Sequence, residues 1–184
     1  GDVQAYNRLV ERYQDLAYGV AYRIMGNADG AMDAVQDAFL RGYRALPGFR
    51  GGSFKSWILR ITTNRCYDKL RAQKRHPHSG FEDLVEDPDH SWLMAGDRED
   101  PEQYVQRREL DGLLQEGLKE LPEEQRTALV LCDIEGLSYS EIAEVTDSAL
   151  GTVKSRLSRA RAKMRDYLME RRELLPAEFR LMDE

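Results

Sequence analysis

The segment that decides the fold runs from Ser138 to Arg161 and reads SYSEIAEVTDSALGTVKSRLSRAR. Ser138 with Glu141 three residues later has the pattern of a capping box, which predicts the start of a short helix. Thr146-Asp147-Ser148 interrupts the helical pattern, and aspartate tolerates the left-handed backbone that a tight turn between helices requires. A second helix then opens on small residues. The segment therefore predicts a helix-turn-helix.

The second helix of this motif combines a packing stripe with a polar, basic face. Its apolar residues recur at helical spacing: Val153, Leu157, Ala160 and Met164. The positions between them carry mostly cations and hydroxyls: Thr152, Lys154, Ser155, Arg156, Ser158, Arg159 and Arg161. Such a helix fits the major groove of DNA, where Arg reads guanine and Lys or Thr holds phosphates. The alternative is a solvated basic helix, which is what most amphipathic segments rich in Lys and Arg are.

Composition limits the size of the domains and the classes of protein to which the chain can belong. The chain has 184 residues, of which 41% are hydrophobic, enough for one or two small helical domains. It has no apolar run long enough to cross a bilayer and no signal-peptide pattern, so we expect a soluble, cytoplasmic protein without membrane insertion. Because the sequence starts at Gly1 and not at methionine, we expect N-terminal residues to be missing. Cys66 and Cys132 lie far apart in apolar helical patterns and are predicted to be buried free thiols.

Charge is distributed unevenly along the chain, whose net charge is −6. Residues 60–75 contain six basic residues and one acidic residue, and residues 154–172 contain eight basic and two acidic residues. Residues 82–102 contain nine acidic residues and one arginine. Two basic helices held apart by an acidic connection indicate contact with a polyanion at two points.

The hydrophobic periodicity predicts an all-α fold of two small helical domains. Three helices form the first domain: one from about Asp2 to Gly26-Asn27, one ending at Pro47-Gly48, and one capped by Ser53 and ending near Lys74. In the third helix we expect a buried stripe of Phe54, Trp57, Ile58 and Ile61. The predicted organisation is a first domain over residues 1–75, an extended or disordered acidic linker over 76–102, a second domain over 103–172 and a C-terminal tail over 173–184.

The second domain is predicted to open with a helix marked by five leucines: Leu110, Leu113, Leu114, Leu118 and Leu121. Pro122 starts the next helix, which leads through Glu135-Gly136 into the helix-turn-helix. The final basic helix continues to about Arg172.

Three segments, in this order, carry a resemblance that spans nearly the whole chain. They are GDVQAYNRLVERY at the start, DAVQDAFLRGYRALPGFRGGSFKSWILRITTNRCYD from Asp33, and LPEEQRTALVLCDIEGLSYSEIAEVTDSALGTVKSRLSRARAKM from Leu121. Together they resemble the extracytoplasmic-function (ECF) sigma factors, the smallest class of bacterial sigma-70-type initiation factors. The resemblance implies sigma region 2, a linker and sigma region 4. It also implies a role in transcription initiation, as in a stress response.

The resemblance implies a polymerase-binding face on the second helix. Its contacts with the clamp helices of the largest polymerase subunit would be Asp33, Gln36, Asp37, Leu40 and Arg41. The residues alone predict only an ordinary acidic helix surface. The implied partners are the RNA polymerase core, at the clamp helices and the flap, promoter DNA, and an anti-sigma factor that holds the protein inactive.

The resemblance also implies a surface for the melted minus-10 strand. Asn64 would help to read a flipped base, and the loop residues Arg50, Gly51, Gly52 and Ser53 would line its path. A basic track of Arg60, Arg65 and Lys69 would follow the backbone. For Arg60 and Arg65, general attraction to phosphate is an alternative of equal weight. Trp57 lies on the apolar stripe and is predicted to belong to the core.

In region 4, the resemblance implies that the minus-35 element is read by the basic face of the second helix of the helix-turn-helix. Within that face, the predicted reading set is Arg156 and Arg159 with Lys154 and Ser155.

Two other classes of function remain open to the sequence. A different transcriptional regulator would need a ligand or phosphorylation input domain, but the first domain lacks the alternating strands of a receiver. An enzyme would need His76, His78 and His90 to gather with the linker acids, yet they have no metal-ligand spacing. Glu141 and Glu144 have the spacing of any exposed helix face. We therefore expect no catalytic residue, no metal site and no cofactor.

Overall fold

Two helical domains in contact make up the computed structural model. It describes residues 2–75 and 101–175, with the side chains of the second range described from residue 105. Every regular element within these ranges is helical, which confirms the predicted all-α fold. The acidic segment 76–100 and residues 176–184 of the tail lie outside the described residues. No helix in the described ranges combines the length and the apolar character needed to cross a membrane.

Helix α1, Val3–Met25, begins and ends where the sequence predicts. Asp2 caps its start, because Oδ1 accepts a hydrogen bond of 2.9 Å from Gln4 N. Gly26 ends it in the left-handed region, with φ 76°, and donates its N–H to Tyr22 O at 2.8 Å. A Cβ at Gly26 would lie 2.9 Å from Lys119 Cε, so this glycine also makes room for the second domain.

Helices α2, Ala28–Ala45, and α3, Phe54–Arg75, complete the first domain. Asn27 caps α2 by accepting from Gly30 N at 2.7 Å. The predicted cap of α3 is confirmed, since Ser53 Oγ accepts from Ser56 N at 3.2 Å. Between the two helices, a short 3-10 turn at Leu46–Gly48 follows α2 directly.

The buried face of α3 differs from the predicted stripe. Ile58 is buried, but Phe54, Trp57 and Ile61 are only half-buried. The physical reason is that α3 packs against α1 and α2 on one side and against the second domain on the other. Burial therefore extends over a wider arc that includes Leu59 and several small side chains: Ser56, Thr62, Thr63 and Cys66.

The prediction for the two thiols is confirmed in part. Both cysteines are free. Cys66 is buried in the first domain, and this burial raises the pKa of its thiol to about 12. Cys132 is only half-buried, because it lies at the edge of the second domain beside the exposed Asp133.

The second domain consists of four helices and two short irregular turns. These elements are α4 Pro101–Lys119, α5 Glu123–Leu129, a π-helical turn Val130–Ile134, α6 Tyr139–Thr146, α7 Leu150–Glu170 and a 3-10 turn Arg172–Leu174. Helix α4 starts at Pro101, two residues before the predicted start of the second domain at residue 103, because proline suits the first turn of a helix. The fully buried side chains Leu131, Ile142 and Leu157 come from three successive elements and form the centre of this domain.

The two domains pack directly on each other. Helix α3 lies against α6, and α1 contacts α4 and α5. The buried residues of both domains belong to one continuous cluster. The expectation that the two basic helices are held apart is therefore wrong for this arrangement, because tertiary contacts between the domains are made despite the long acidic connection.

Candidate nucleic-acid interface

The helix-turn-helix has the local geometry that its sequence predicts. Ser138 and Glu141 form a reciprocal capping box: Ser138 Oγ accepts from Glu141 N at 3.3 Å, and Glu141 Oε2 accepts from Ser138 N at 2.9 Å. These hydrogen bonds from Ser138 hold the pKa of Glu141 below its usual range. Asp147 supplies the turn in the left-handed conformation, with φ 49°. The carboxylate of Glu141 is thus engaged in starting α6.

Helix α7 presents a polar face opposite its packing stripe. Val153, Leu157 and Ala160 are buried as predicted, whereas Met164 is half-buried. Five of the predicted DNA-binding residues are exposed: Thr152, Lys154, Ser158, Arg159 and Arg161. Ser155 is half-buried, with its hydroxyl donating to Thr152 O at 2.9 Å.

Two arginines of α7 are engaged within the protein. Arg156 is half-buried and donates to Ser148 Oγ at 2.8 Å. Arg161 forms a bidentate pair with Asp133, at 2.6 and 3.0 Å, and its Nη1 lies 3.4 Å from the Tyr139 hydroxyl. These hydrogen bonds from Arg161 lower the pKa of Asp133. Sequence reasoning missed the pair because 28 residues separate its partners.

The loop that precedes α3 is anchored by aromatic rings on both sides. Phe49 lies 5.1 Å from Trp57 and 6.0 Å from Phe54, and Phe54 lies 5.3 Å from Tyr13 of α1 (ring centroids). Half-buried Trp57 therefore belongs to this aromatic cluster. Between the anchors, the residues predicted to line the minus-10 strand are all exposed: Arg50, Gly51, Gly52 and Ser53.

Gly51 and Gly52 both have φ 94°, a conformation that side-chain-bearing residues rarely adopt. A Cβ at either position would meet no atom within 4 Å, so backbone conformation and not space requires glycine here. The loop is thus exposed and has a backbone conformation that favours glycine at two successive positions.

The predicted basic track on α3 is partly neutralised by the acids of α2. Asn64 and Arg60 are exposed. Arg65, whose side chain is 18% exposed, pairs with Asp68 and lies 3.9 Å from Asp37. Lys69 lies 3.3 Å from Asp33. Two residues predicted to bind DNA, Arg65 and Lys69, thus lie beside two acids predicted to bind polymerase along the contact between α2 and α3.

The exposed face of α2 carries the predicted polymerase contacts. Val35 packs inward, while Asp33 and Gln36 are exposed. Leu40 is 60% exposed, which is unusual for a leucine in a packed helix. Asp37 is half-buried and lies 3.5 Å from Arg41.

Sequence reasoning missed a groove between α1 and α2 beside this face. It has a volume of about 960 Å³, and its apolar lining includes Tyr6, Val10, Phe39, Leu40 and Tyr43. Tyr43 of α2 is exposed, and its ring lies 5.1 Å from that of Tyr6 (ring centroids). The apolar spacing along α2 gave no signal of a groove, because inner and groove-lining residues share one helical periodicity.

Within the described residues, no group of three or more His, Cys, Asp or Glu side chains is placed to hold a metal ion. His76, His78 and His90 lie outside these residues. An all-helical pair of domains with a helix-turn-helix and a second, loop-based polar surface is the architecture typical of transcription factors that bind DNA.

Comparison with known proteins makes the assignment specific. Residues 9–76 match the family Sigma-70 region 2, and residues 111–164 match Sigma-70, region 4. The chain is 41% identical over 164 residues to the ECF RNA polymerase sigma factor SigE of Mycolicibacterium smegmatis, covering 89% of this chain but only 62% of that protein. It is 40% identical to the RNA polymerase sigma-H factor of Pseudomonas aeruginosa, covering 88% and 84% of the two chains.

Further relatives agree with these. The ECF RNA polymerase sigma-E factor of Escherichia coli is 39% identical, with 88% of this chain and 85% of that protein covered. The solved structure of CnrH in complex with the cytosolic domain of CnrY matches with a TM-score of 0.65 and 27% identity, covering 92% and 91%. The sigma factor RpoE of Bartonella quintana, solved with the anti-sigma factor NepR, shares the fold with a TM-score of 0.70 at 24% identity, covering 91% and 98%. The chain belongs to the sigma-70 family, in its ECF class.

Proposed function

We propose that this chain directs RNA polymerase core to promoters and promotes transcription initiation by recognising the minus-10 and minus-35 elements. The observation that carries the proposal is the presence, on one ECF-class chain, of an exposed helix-turn-helix face on α7 and an exposed loop before α3 with two glycines at φ 94°. The proposed domains are region 2 over residues 1–75, a linker over 76–102, region 4 over 103–172 and a tail over 173–184. The protein would act by binding and not as an enzyme, and in the cytoplasm, where its polymerase works.

Core polymerase would bind the face of α2 formed by Asp33, Gln36, Asp37, Leu40 and Arg41. The 60% exposure of Leu40 supports this surface, because an apolar centre with charged residues around it is typical of protein interfaces. The surrounding charges would mainly set the orientation and rate of association. Region 4 would provide the second contact, with the flap.

The melted minus-10 strand would follow the loop of Arg50, Gly51, Gly52 and Ser53 toward Asn64. The two fixed glycines favour close approach of a strand, and Asn64 offers both donor and acceptor groups to a base edge. Arg60, Arg65 and Lys69 would contribute attraction to phosphate. For Arg65 and Lys69 this contribution is reduced by the pairing with Asp37 and Asp33.

The minus-35 duplex would be read by α7, through Thr152, Lys154, Ser155, Arg156, Ser158, Arg159 and Arg161. Arg159 is the strongest candidate for reading a base, because its side chain is exposed. Arg156 is hydrogen-bonded to Ser148, and Arg161 is paired with Asp133. Each arginine would contact DNA either after breaking this interaction or while keeping it.

An anti-sigma factor is the proposed regulator. Of the two solved structures with this fold, one holds a sigma factor with the anti-sigma factor NepR, and the other holds CnrH with the cytosolic domain of CnrY. The apolar groove between α1 and α2 lies beside the proposed polymerase face and offers burial to such a partner.

Arg159→Ala tests whether Arg159 of α7 reads a base edge or only contacts a phosphate. If Arg159 reads a base edge, the substitution should cost about 1–3 kcal/mol of promoter binding by the polymerase complex, confined to one position of the minus-35 element. Lys163→Ala is the matched control, because it removes an exposed cation of α7 that lies outside the proposed reading set and should leave the preference among base pairs unchanged. Binding would be measured with promoter variants changed one base pair at a time. An equal loss on every variant for Arg159→Ala would make it a phosphate contact and contradict the assignment.

A further inference from the structure

Two arginines of α7 are hydrogen-bonded within the protein, but the two contacts use different parts of the guanidinium group. Arg161 has a partner at every nitrogen: Nε and Nη2 donate to Asp133 at 3.0 and 2.6 Å, and Nη1 lies 3.4 Å from the Tyr139 hydroxyl. The contact of Arg156 within the described residues is a single hydrogen bond of 2.8 Å from Nη1 to Ser148 Oγ. Arg156 therefore keeps a fork of two parallel donors along its Nε–Nη2 edge.

The Ser148 hydroxyl that holds Arg156 is itself fixed in the turn of the helix-turn-helix. Its Oγ donates to Thr146 O at 3.2 Å, and the backbone N–H of Ser148 donates to Ala143 O at 3.0 Å. A hydroxyl has one proton to donate, so with that proton committed to a carbonyl it meets Arg156 as an acceptor. The preceding residue, Asp147, has the left-handed conformation that makes the turn. Arg156 is thus bonded to an acceptor whose position is set by the turn.

The contact draws the guanidinium of Arg156 toward the N-terminal end of α7. Arg156 lies one turn after Thr152 and one turn before Arg159, both of which are exposed. Long side chains of a helix lean toward its N-terminus, and Ser148 precedes α7, which begins at Leu150. In helix-turn-helix proteins the N-terminal residues of the second helix contact the base edges. Ser148 therefore holds Arg156 at the end of α7 that would meet the base pairs.

Alignment before DNA binds favours both affinity and selectivity. An arginine loses rotamer freedom when it is fixed on a base, and this loss weakens binding. Arg156 is half-buried and already bonded, so part of its freedom is lost in the folded protein. Of the four bases, guanine alone presents two adjacent acceptors in the major groove, O6 and N7, which match two parallel donors. An aligned Nε–Nη2 edge therefore distinguishes guanine from the other bases.

We propose that Ser148 is a positioning residue for promoter recognition: its hydroxyl orients Arg156 so that the Nε–Nη2 edge reads one guanine of the minus-35 element while the contact with Ser148 is kept. This inference rests on the proposed function, because Ser148 acts through the reading of DNA by α7. The contact is not a helix cap, since the N-cap residue of α7 is Ala149 and no side chain caps this helix.

The test compares the base-pair preferences of the full chain bound to RNA polymerase core. Duplexes that the wild-type complex selects from a pool randomised over the upstream element are changed one base pair at a time, and the affinity for each is measured. Arg156→Ala should abolish the preference at one G·C pair. Ser148→Ala should reduce the preference at that same pair by about three- to tenfold and leave the preferences elsewhere unchanged. Each preference is a ratio of affinities within one preparation, so a change in the amount of folded protein cancels.

Three further variants separate positioning from a general structural role. Ser148→Thr, which keeps the hydroxyl, should retain the wild-type preference. Ser148→Ala in an Arg156→Ala background should add no further loss, because the side chain through which Ser148 acts is gone. Ser140→Ala, at an exposed serine of α6 in the same motif, is the matched control and should change no preference.

The proposal is overturned if Ser148→Ala leaves the preference at the Arg156 pair unchanged, weakens binding to all duplexes equally, or costs as much without Arg156 as with it. It is also overturned if Arg156→Ala removes no preference. These outcomes leave the proposed function standing, since the wild-type complex still selects a duplex. If the wild-type complex selects no duplex, the proposed function fails, and the positioning role of Ser148 fails with it.

Discussion

At the scale of single residues, Arg161 is predicted to bind DNA, and in the structure it forms an ion pair with Asp133. Arg161 is 46% exposed and lies among the basic residues of α7, which is why the sequence places it in the DNA-binding set. Its bidentate pair with Asp133 instead ties α7 to the π-helical turn. The local sequence pattern could not predict this ion pair, because Asp133 and Arg161 are 28 residues apart in sequence. The exposure of Lys154, Ser158 and Arg159, by contrast, follows directly from the helical spacing.

The pair makes stability depend on pH in a defined direction. Hydrogen bonds from Arg161 lower the pKa of Asp133 in the folded state, so the stabilisation is complete above the unfolded pKa of about 4 and is lost as pH falls through the lower folded value. Asp133→Asn should lower the free energy of unfolding by about 0.5–1 kcal/mol at pH 7. The difference from wild type should shrink below pH 4, as measured by urea unfolding at several pH values.

Asp15→Asn, at an exposed carboxylate in α1, is the control and should change stability little at any of these pH values. If Asp133→Asn and wild type lose stability in parallel from pH 7 to pH 3, the pair does not stabilise the domain.

At the scale of elements, the helix boundaries were the most predictable feature, because their signals are local. Asp2, Ser53 and Ser138 each accept a hydrogen bond from a backbone N–H in the first turn that they cap. The irregular turns and the true buried face of α3 were not predictable. They depend on packing from both domains, which no single helix encodes.

The loop before α3 offers a direct test of element conformation. Gly52→Ala places a side chain at φ 94° and should destabilise the protein by about 1–2 kcal/mol or shift the loop. Gly48→Ala is a matched control, because Gly48 has no positive φ and a Cβ there meets nothing within 4 Å. The control should be neutral in thermal unfolding. Equal effects of the two substitutions would mean that the loop does not need its left-handed glycines.

At the scale of the whole molecule, the net charge of −6 is the sum of strongly basic segments and a strongly acidic one. The sequence separates basic helices from acidic segments, and this pattern with the family resemblance was enough to indicate a two-domain DNA-binding protein. The contact between the domains could not be read in the same way. It rests on pairs such as Lys55 with Glu135 and Arg126 with Ile24, which are 80 and 102 residues apart in sequence.

The central claim is that the chain gives RNA polymerase core its promoter specificity. The most direct test is run-off transcription by purified bacterial core polymerase, with and without the chain, on a library of genomic fragments whose transcript starts are sequenced. We expect starts that require the chain and share two upstream elements, near −10 and −35. Failure of the chain to bind core, or binding without any chain-dependent start, would contradict the claim.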